Sequence, residues 1–251
     1  MKNHFFFGYA GNKRNETEQI YNTLDMTNIK NIIEPFCGTS AISFYISTKH
    51  PKQFNYILND SNKLLIDLYK IVTDNEAFNN LINELNEDYR EMDKEKYNEY
   101  IKNDTIKALI FRHKIYKIRP GLFPLKKLNV DFNYLRACPI IQFLNTEKIT
   151  LLNDDGYNVF KTYENNKESL IIVDPPYLVS CNEFYKLNQS NVNLYEYLSV
   201  NSIKSFHSKI VCILESNWII RLLFKDYDFI NYDKQYELSK KNTIHSIIKN
   251  F

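Results

Sequence analysis

Leu170-Ile171-Ile172-Val173-Asp174-Pro175-Pro176-Tyr177 is an apolar run that stops on a carboxylate, two prolines and an aromatic ring. An apolar run of this length closed by proline reads as a strand. Each proline fixes its own φ and biases the preceding residue toward an extended backbone, so Asp174 and Pro175 stay out of any following helix. Prolines also lack amide hydrogens, which leaves nearby carbonyls to other donors. The strand therefore ends in a carboxylate, a carbonyl and a ring at the carboxyl edge of the sheet, where open α/β folds bind their ligands. A planar molecule with an exocyclic amine can give one hydrogen to Asp174 and one to the Pro175 carbonyl while stacking on Tyr177. The same tetrapeptide also suits a plain proline turn with Tyr177 as a core anchor. A second motif decides between them.

That motif is Glu34-Pro35-Phe36-Cys37-Gly38-Thr39-Ser40, which follows the short apolar strand begun at Asn31 and launches a helix running to Lys49. Glycine between a first strand and a first helix lets the backbone approach a ligand beside unpaired helix amides. A dinucleotide site would want three spaced glycines against the pyrophosphate; Gly38 alone does not make a phosphate cradle. The loop with its acid, Glu34, suits a polar or cationic ligand instead. About 22 residues past Gly38, Asp60 ends the next strand (56–58), where α/β folds place a carboxylate on ribose hydroxyls. Further strands are expected at 148–152 and 209–214, with a closing antiparallel pair at 227–231 and 243–248 and helices near 62–72, 193–206 and 217–224. The fold class is α/β, a mostly parallel sheet.

From Asp74 the rhythm changes to charged helix, with Phe78, Leu81, Ile82, Leu85 and Tyr89 forming one apolar stripe. This stretch is not needed to complete the sheet and reads as an insert, giving a main domain of 1–73 and 144–251 and an inserted domain of 74–143. The second half of the insert is locally basic through Arg112, His113, Lys114, Lys117, Arg119, Lys126, Lys127 and Arg136, interleaved with aromatics. The net charge of +2 over 251 residues carries no global nucleic-acid signal, so any such partner must be held by this local patch. Cys37, Cys138, Cys181 and Cys212 lack the spacing of a zinc site or a disulfide framework, which excludes a metal centre of that kind and points to a reducing compartment. Phe5-Phe6-Phe7 is too short for a signal segment, and no apolar run approaches membrane-spanning length. The expectation is a soluble, intracellular protein of the cytoplasm or nucleoid, without membrane association. His207 and His245, isolated in the sequence, read as surface or strand-end residues. The 19 Tyr and 17 Phe are compatible with coding bias and are not read as function.

The order Phe7-Gly8-Tyr9-Ala10-Gly11-Asn12-Lys13, Glu34-Pro35-Phe36-Cys37-Gly38, Asn59-Asp60 and Asp174-Pro175-Pro176-Tyr177 resembles the Dam-type family of DNA adenine-N6 methyltransferases over nearly the whole chain. The resemblance implies a class I, Rossmann-like methyltransferase sheet of seven strands with a helical and loop target-recognition insert. It implies S-adenosylmethionine as cofactor and double-stranded DNA as partner, in a monomer or weak dimer. Carried over by position, Tyr9, Gly11 and Lys13 help enclose the methionine end of the cofactor, and Glu34, Phe36 and Gly38 line its loop. Asp60 takes the ribose hydroxyls. Of the two acids that follow the 148–152 strand, Asp154 and Asp155, the second is preferred for the cofactor adenine. Asp174, which also borders the cofactor, forms the target-amine site with Pro175 and Tyr177. Phe184 packs on the flipped base, and Arg119, with Lys126 and Lys127, contacts DNA. Where the family has Asn after that arginine this chain has Pro120, so no recognition sequence is carried over. Cytosine-N4 or RNA methylation, and a binding protein that retains the fold without turnover, are the alternatives. Cytosine-C5 methylation is disfavoured because the chain contains no Pro-Cys dipeptide.

Overall fold

The computed structural model describes residues 4–9, 11–100, 102–103, 105–115, 130–178, 189–201, 203–235 and 242–251. The apolar runs become β1 (Asn31–Glu34), β2 (Asn55–Asn59), β3 (Lys148–Leu152), β4 (Ser169–Val173), β5 (Lys209–Glu215), β6 (Ile230–Gln235) and β7 (Asn242–Lys249). They form one seven-stranded sheet in the order β3-β2-β1-β4-β5-β7-β6. β1 to β5 are parallel to one another, whereas β7 runs antiparallel between β5 and β6. β4, the unbroken apolar run before Asp174, is buried at every position, as a strand covered on both faces must be. The chain moves outward from β1 through β2 and β3, then returns to the other side of β1 at β4. The order therefore reverses between β1 and β4, the switch point where α/β sheets open a crevice at their carboxyl ends. Ile33 pairs with Ile171, so the Glu34 and Asp174 motifs leave the same sheet edge from adjacent strands.

In chain order the helices are α1 (Thr17–Tyr21), α2 (Ala41–Lys49), α3 (Lys63–Val72), α4 (Asn75–Arg90), α5 (Lys94–Tyr100), α6 (Ile106–Ile115), α7 (Pro139–Thr146), α8 (Gly156–Tyr163), α9 (Gln189–Val200) and α10 (Trp218–Leu223). Two compact units result. One comprises Met1–Arg14 and Asn62–Thr146, and the other Asn15–Ser61 and Glu147–Phe251. The second unit holds the whole sheet with α1, α2, α8, α9 and α10. Its core joins Ile33, Ile171 and Cys212 of the sheet to Phe160 of α8, Leu194 of α9 and Phe224 beyond α10.

The first unit is helical and its core is aromatic. The five-residue stripe of α4 is buried as its spacing requires, and Asp74 caps that helix by accepting from the amides of Glu76 and Ala77. Phe5, Phe6 and Phe7 are buried here; Phe5 packs edge-on against Tyr69, and further along Phe132 meets both Tyr89 and Phe111 edge-on. The abundance of aromatics thus has a structural use in this unit.

The sheet differs from expectation at one strand. β6 starts at Ile230 rather than 227 and runs past 231 to Gln235, with Tyr232 and Lys234 on its buried face. A lysine turned inward breaks the alternation on which the sequence reading depends. α8 falls outside the helices expected from sequence; its start is set by Asp155, which caps it by accepting from the Tyr157 amide.

Candidate active site

Main-chain geometry at the end of β1 is held by its neighbours. Gly38 takes φ 48°, a left-handed conformation that residues with a Cβ avoid. Its N–H donates to Asp60 Oδ2 at 3.0 Å, which joins the glycine to the acid at the end of β2. The Cys37 amide donates to the Asn59 carbonyl at 2.7 Å. The buried side chain of Asn59 donates to the carbonyls of Pro35 at 2.8 Å and Asp154 at 3.0 Å, and accepts from the Asp154 amide at 2.9 Å. One amide side chain therefore ties together the carboxyl ends of β1, β2 and β3.

The remaining residues of this edge follow. Glu34 is buried, and its Oε1 accepts from the Ser43 amide in the first turn of α2 at 2.9 Å, where a carboxylate complements the unpaired helix amides. Asp155 accepts from the Tyr157 amide at 2.8 Å and from the Ser190 hydroxyl. Phe36 lies against Gly156: a Cβ at that glycine would sit 2.4 Å from the Phe36 ring. Cys37 is buried, and that burial, reinforced by the charges of Asp60 and Glu34, pushes its thiol well above the usual range. It is a poor nucleophile.

At the end of β4, Pro175 is buried while Asp174, Pro176 and Tyr177 are partly exposed. The Tyr177 hydroxyl donates to Asp174 Oδ1 at 3.1 Å, and the Tyr195 hydroxyl of α9 donates to the Pro176 carbonyl at 3.3 Å. The Tyr177 ring stands at 83° to the ring of His245, with centroids 5.3 Å apart. His245 is fully buried in β7, not at the surface or a strand end. His207 is exposed as expected.

Tyr9, Gly11 and Lys13 belong to the first unit. Gly11 takes φ 73°, the Asn12 amide donates to the Tyr9 carbonyl at 3.2 Å, and buried Lys13 donates to the Gly11 carbonyl at 3.0 Å. Asn62 donates to the Tyr9 hydroxyl at 3.4 Å. His113 lies against the rings of Phe7 and Tyr9, and burial lowers its pKa to about 4. It is neutral at pH 7 and adds nothing to the basic patch. Arg136 is bonded to Asn133 and Asn79. Phe184, Arg119, Lys126 and Lys127 lie outside the described residues. Among the described residues, no group of three or more His, Cys, Asp or Glu could hold a metal ion, and no helix is long and apolar enough to cross a membrane.

Sequence reading missed the roles of Asn59, Gly156, Tyr195 and His245. Gly156 offered a signal, as one of only 5 glycines in the chain and the neighbour of Asp155. The two others that face the Asp174 motif, Tyr195 and His245, come from α9 and β7 and carry no local pattern.

A seven-stranded sheet in this order with antiparallel β7, carrying an acid after β2 and the Asp-Pro-Pro-Tyr edge after β4, defines a class I methyltransferase fold. A model of the D12 class N6 adenine-specific DNA methyltransferases matches residues 9–138, just over half of the 251-residue chain. The chain belongs to that family. The Asp174 motif lies beyond the matched segment and is independent of it. The chain is 26% identical over 201 residues to the type II methyltransferase M.MjaIII of Methanocaldococcus jannaschii, covering 68% of this chain and 68% of that protein. Among solved structures it resembles TrmN from Thermus thermophilus over 95% of this chain and 48% of the other, at 8% identity and a TM-score of 0.40. It resembles a Listeria monocytogenes protein assigned to the class I S-adenosylmethionine-dependent methyltransferases over 99% and 62%, at 12% identity and a TM-score of 0.45. The chain spans less than two thirds of the length of either of these two structures.

Proposed function

We propose that this chain transfers the methyl group of S-adenosylmethionine to N6 of an adenine turned out of double-stranded DNA. The observation that carries the reading is the pairing at the β1/β4 switch point: the Gly38–Asp60 loop lies on one side and Asp174-Pro175-Pro176-Tyr177 on the other. The donor set fits the cofactor. Asp60 is the acid for the ribose diol, left-handed Gly38 permits close approach of the backbone, Phe36 follows β1 in the same loop and Asp155 follows β3. Tyr9, Gly11 and Lys13 are assigned to its methionine end by family position. When bound, S-adenosylmethionine supplies a methyl group already activated on a sulfonium.

The protein's own task is placement. The N6 lone pair of adenine is delocalised into the ring, which makes the amine a weak nucleophile. Hydrogen bonds from N6 to the Asp174 carboxylate and the Pro175 carbonyl favour a more pyramidal amine with its lone pair directed away from both acceptors. Tyr177 compensates for stacking lost when the base leaves the duplex. No covalent enzyme intermediate is needed, in keeping with the raised Cys37 thiol. Residues 74–143 are assigned the DNA contacts through Arg119, Lys126 and Lys127, and Phe184 is assigned to the flipped base, all by family position.

The test is incubation with labelled cofactor and mixed-sequence duplex DNA, digestion to nucleosides and separation. Label in N6-methyl-2′-deoxyadenosine is expected. Label confined to methylcytosine, or cofactor binding with no transfer to DNA, overturns the reading.

A further inference from the structure

His245 sits in the middle of β7 with Tyr232 of β6 and Glu215 of β5 as register partners. Its Nδ1 lies 3.4 Å from Glu16 Oε2 and 3.5 Å from the Tyr232 hydroxyl. Tyr232 donates to Glu16 Oε2 at 2.8 Å, and the Lys234 ammonium is paired with Glu16 Oε1. Glu16, Tyr232 and Lys234 are all buried, and His245 has no solvent exposure. A buried ionic cluster of this kind gives little net stability over apolar packing of the same volume, because desolvation offsets the attraction. What it does supply is a fixed geometry. Glu16, the residue before α1, faces Nδ1 of the imidazole, and the imidazole ring meets the ring of Tyr177 edge-on with centroids 5.3 Å apart. Tyr177 in turn reaches Asp174 Oδ1 at 3.1 Å.

We propose that His245 is a positioning residue for methyl transfer: locked by Glu16 and Tyr232, it sets the plane of the Tyr177 ring and thereby the aim of the Tyr177 hydroxyl at Asp174. The inference rests on the reading of Asp174 and Tyr177 as the amine site. His245 touches neither base nor cofactor in this scheme and acts only through Tyr177.

A double-mutant cycle on the full chain reads that coupling, with kcat measured on mixed-sequence duplex and normalised to the fraction of protein that binds cofactor. His245→Ala lowers kcat about tenfold or more with cofactor affinity unchanged. In the Tyr177→Ala background the same substitution costs less than about twofold, since the residue through which it acts is gone. His245→Phe, which keeps a ring against Tyr177, recovers most of the loss. Should His245→Ala fail to bind cofactor, Glu16→Gln carries the same cycle and is expected to cost about threefold in the parent and nothing detectable beside Tyr177→Ala. Equal losses in both backgrounds, or wild-type kcat in folded His245→Ala, overturn the proposal while leaving the amine site intact. Wild-type kcat in Tyr177→Ala removes the amine-site reading, and this proposal falls with it.

Discussion

The loops after β1 and β4 leave the same sheet edge side by side, yet they are held by different means. In the β1 loop the groups held are main-chain groups: the Gly38 N–H by the Asp60 carboxylate, the Cys37 N–H by the Asn59 carbonyl, and the Pro35 carbonyl by the Asn59 side chain, which also holds the Asp154 carbonyl. The β4 loop has prolines where amides would be and is held by side chains, with Tyr195 on the Pro176 carbonyl, Tyr177 on Asp174 and His245 against Tyr177. The first arrangement suits a ligand with an invariant shape, which needs a preformed rim. The second suits a base that arrives from a duplex and must be received by rings and acceptors whose aim is set from behind. Both are preorganisation, purchased with different groups.

The comparison is tested hardest at Asp174. If the β4 loop is the reacting side, Asp174→Ala lowers transfer by about a hundredfold or more, roughly 3 kcal/mol, while cofactor affinity in equilibrium binding stays close to the parent. Activity within about tenfold of the parent would remove Asp174 as amine acceptor.

On the β1 side the largest effect falls on stability rather than rate. Asn59→Ala leaves two carbonyls and one amide without the partner that joins three strand ends. Unsatisfied buried groups of this sort cost about 1–3 kcal/mol each before relaxation, so a net loss of about 3 kcal/mol is expected in urea denaturation. Asn59→Asp keeps only the bond accepted from Asp154 and should lose nearly as much. An unchanged midpoint in both variants would show that the loops do not depend on this clamp.

Gly156 probes the proposed cofactor side more narrowly. Its substitution by Ala drives a methyl into the Phe36 ring, and the ring must swing away. The expected result is about a tenfold weaker cofactor affinity, near 1.4 kcal/mol. Combining Gly156→Ala with Phe36→Ala relieves the clash and restores thermal stability without restoring affinity. Recovery of both would mean that Phe36 contributes nothing to the cofactor loop.

Much of this architecture can be read from sequence because it is local. Apolar runs 32–33 and 170–173, each followed by an acid and a proline, announce strands, and the five-residue stripe of α4 announces a helix. The spacing of Gly38 and Asp60 predicts two adjacent loops, which the structure joins by a direct hydrogen bond. What cannot be read is any group whose partner is remote in the chain. His245 is 68 positions from Tyr177, and nothing between Ile244 and Ser246 distinguishes it from a surface histidine. Lys234 hides the inward face of β6 for a related reason: a lysine can be buried only beside a counter-charge, and that charge, Glu16, lies 218 residues away. Gly156 was legible in principle, since a glycine at a helix start has no backbone need of its own and so implies a neighbour pressed against it.

Tyr195 gives the finest test of the difference between the loops. Its hydroxyl is 3.3 Å from the Pro176 carbonyl, a long bond to an acceptor that is partly exposed, while its ring belongs to the core shared by α9 and the sheet. Tyr195→Phe keeps the ring and removes the donor, so stability should change by no more than about 1 kcal/mol. If the β4 loop is aimed by several side chains together, kcat falls only about two- to threefold and cofactor affinity is untouched. A loss comparable to that of Asp174→Ala would mean that one hydrogen bond from α9 fixes the loop, with Tyr177 and His245 following it. No loss at all would assign the hold to the two prolines and the Tyr177–His245 contact, and would place the control of the β4 edge in β7 rather than α9.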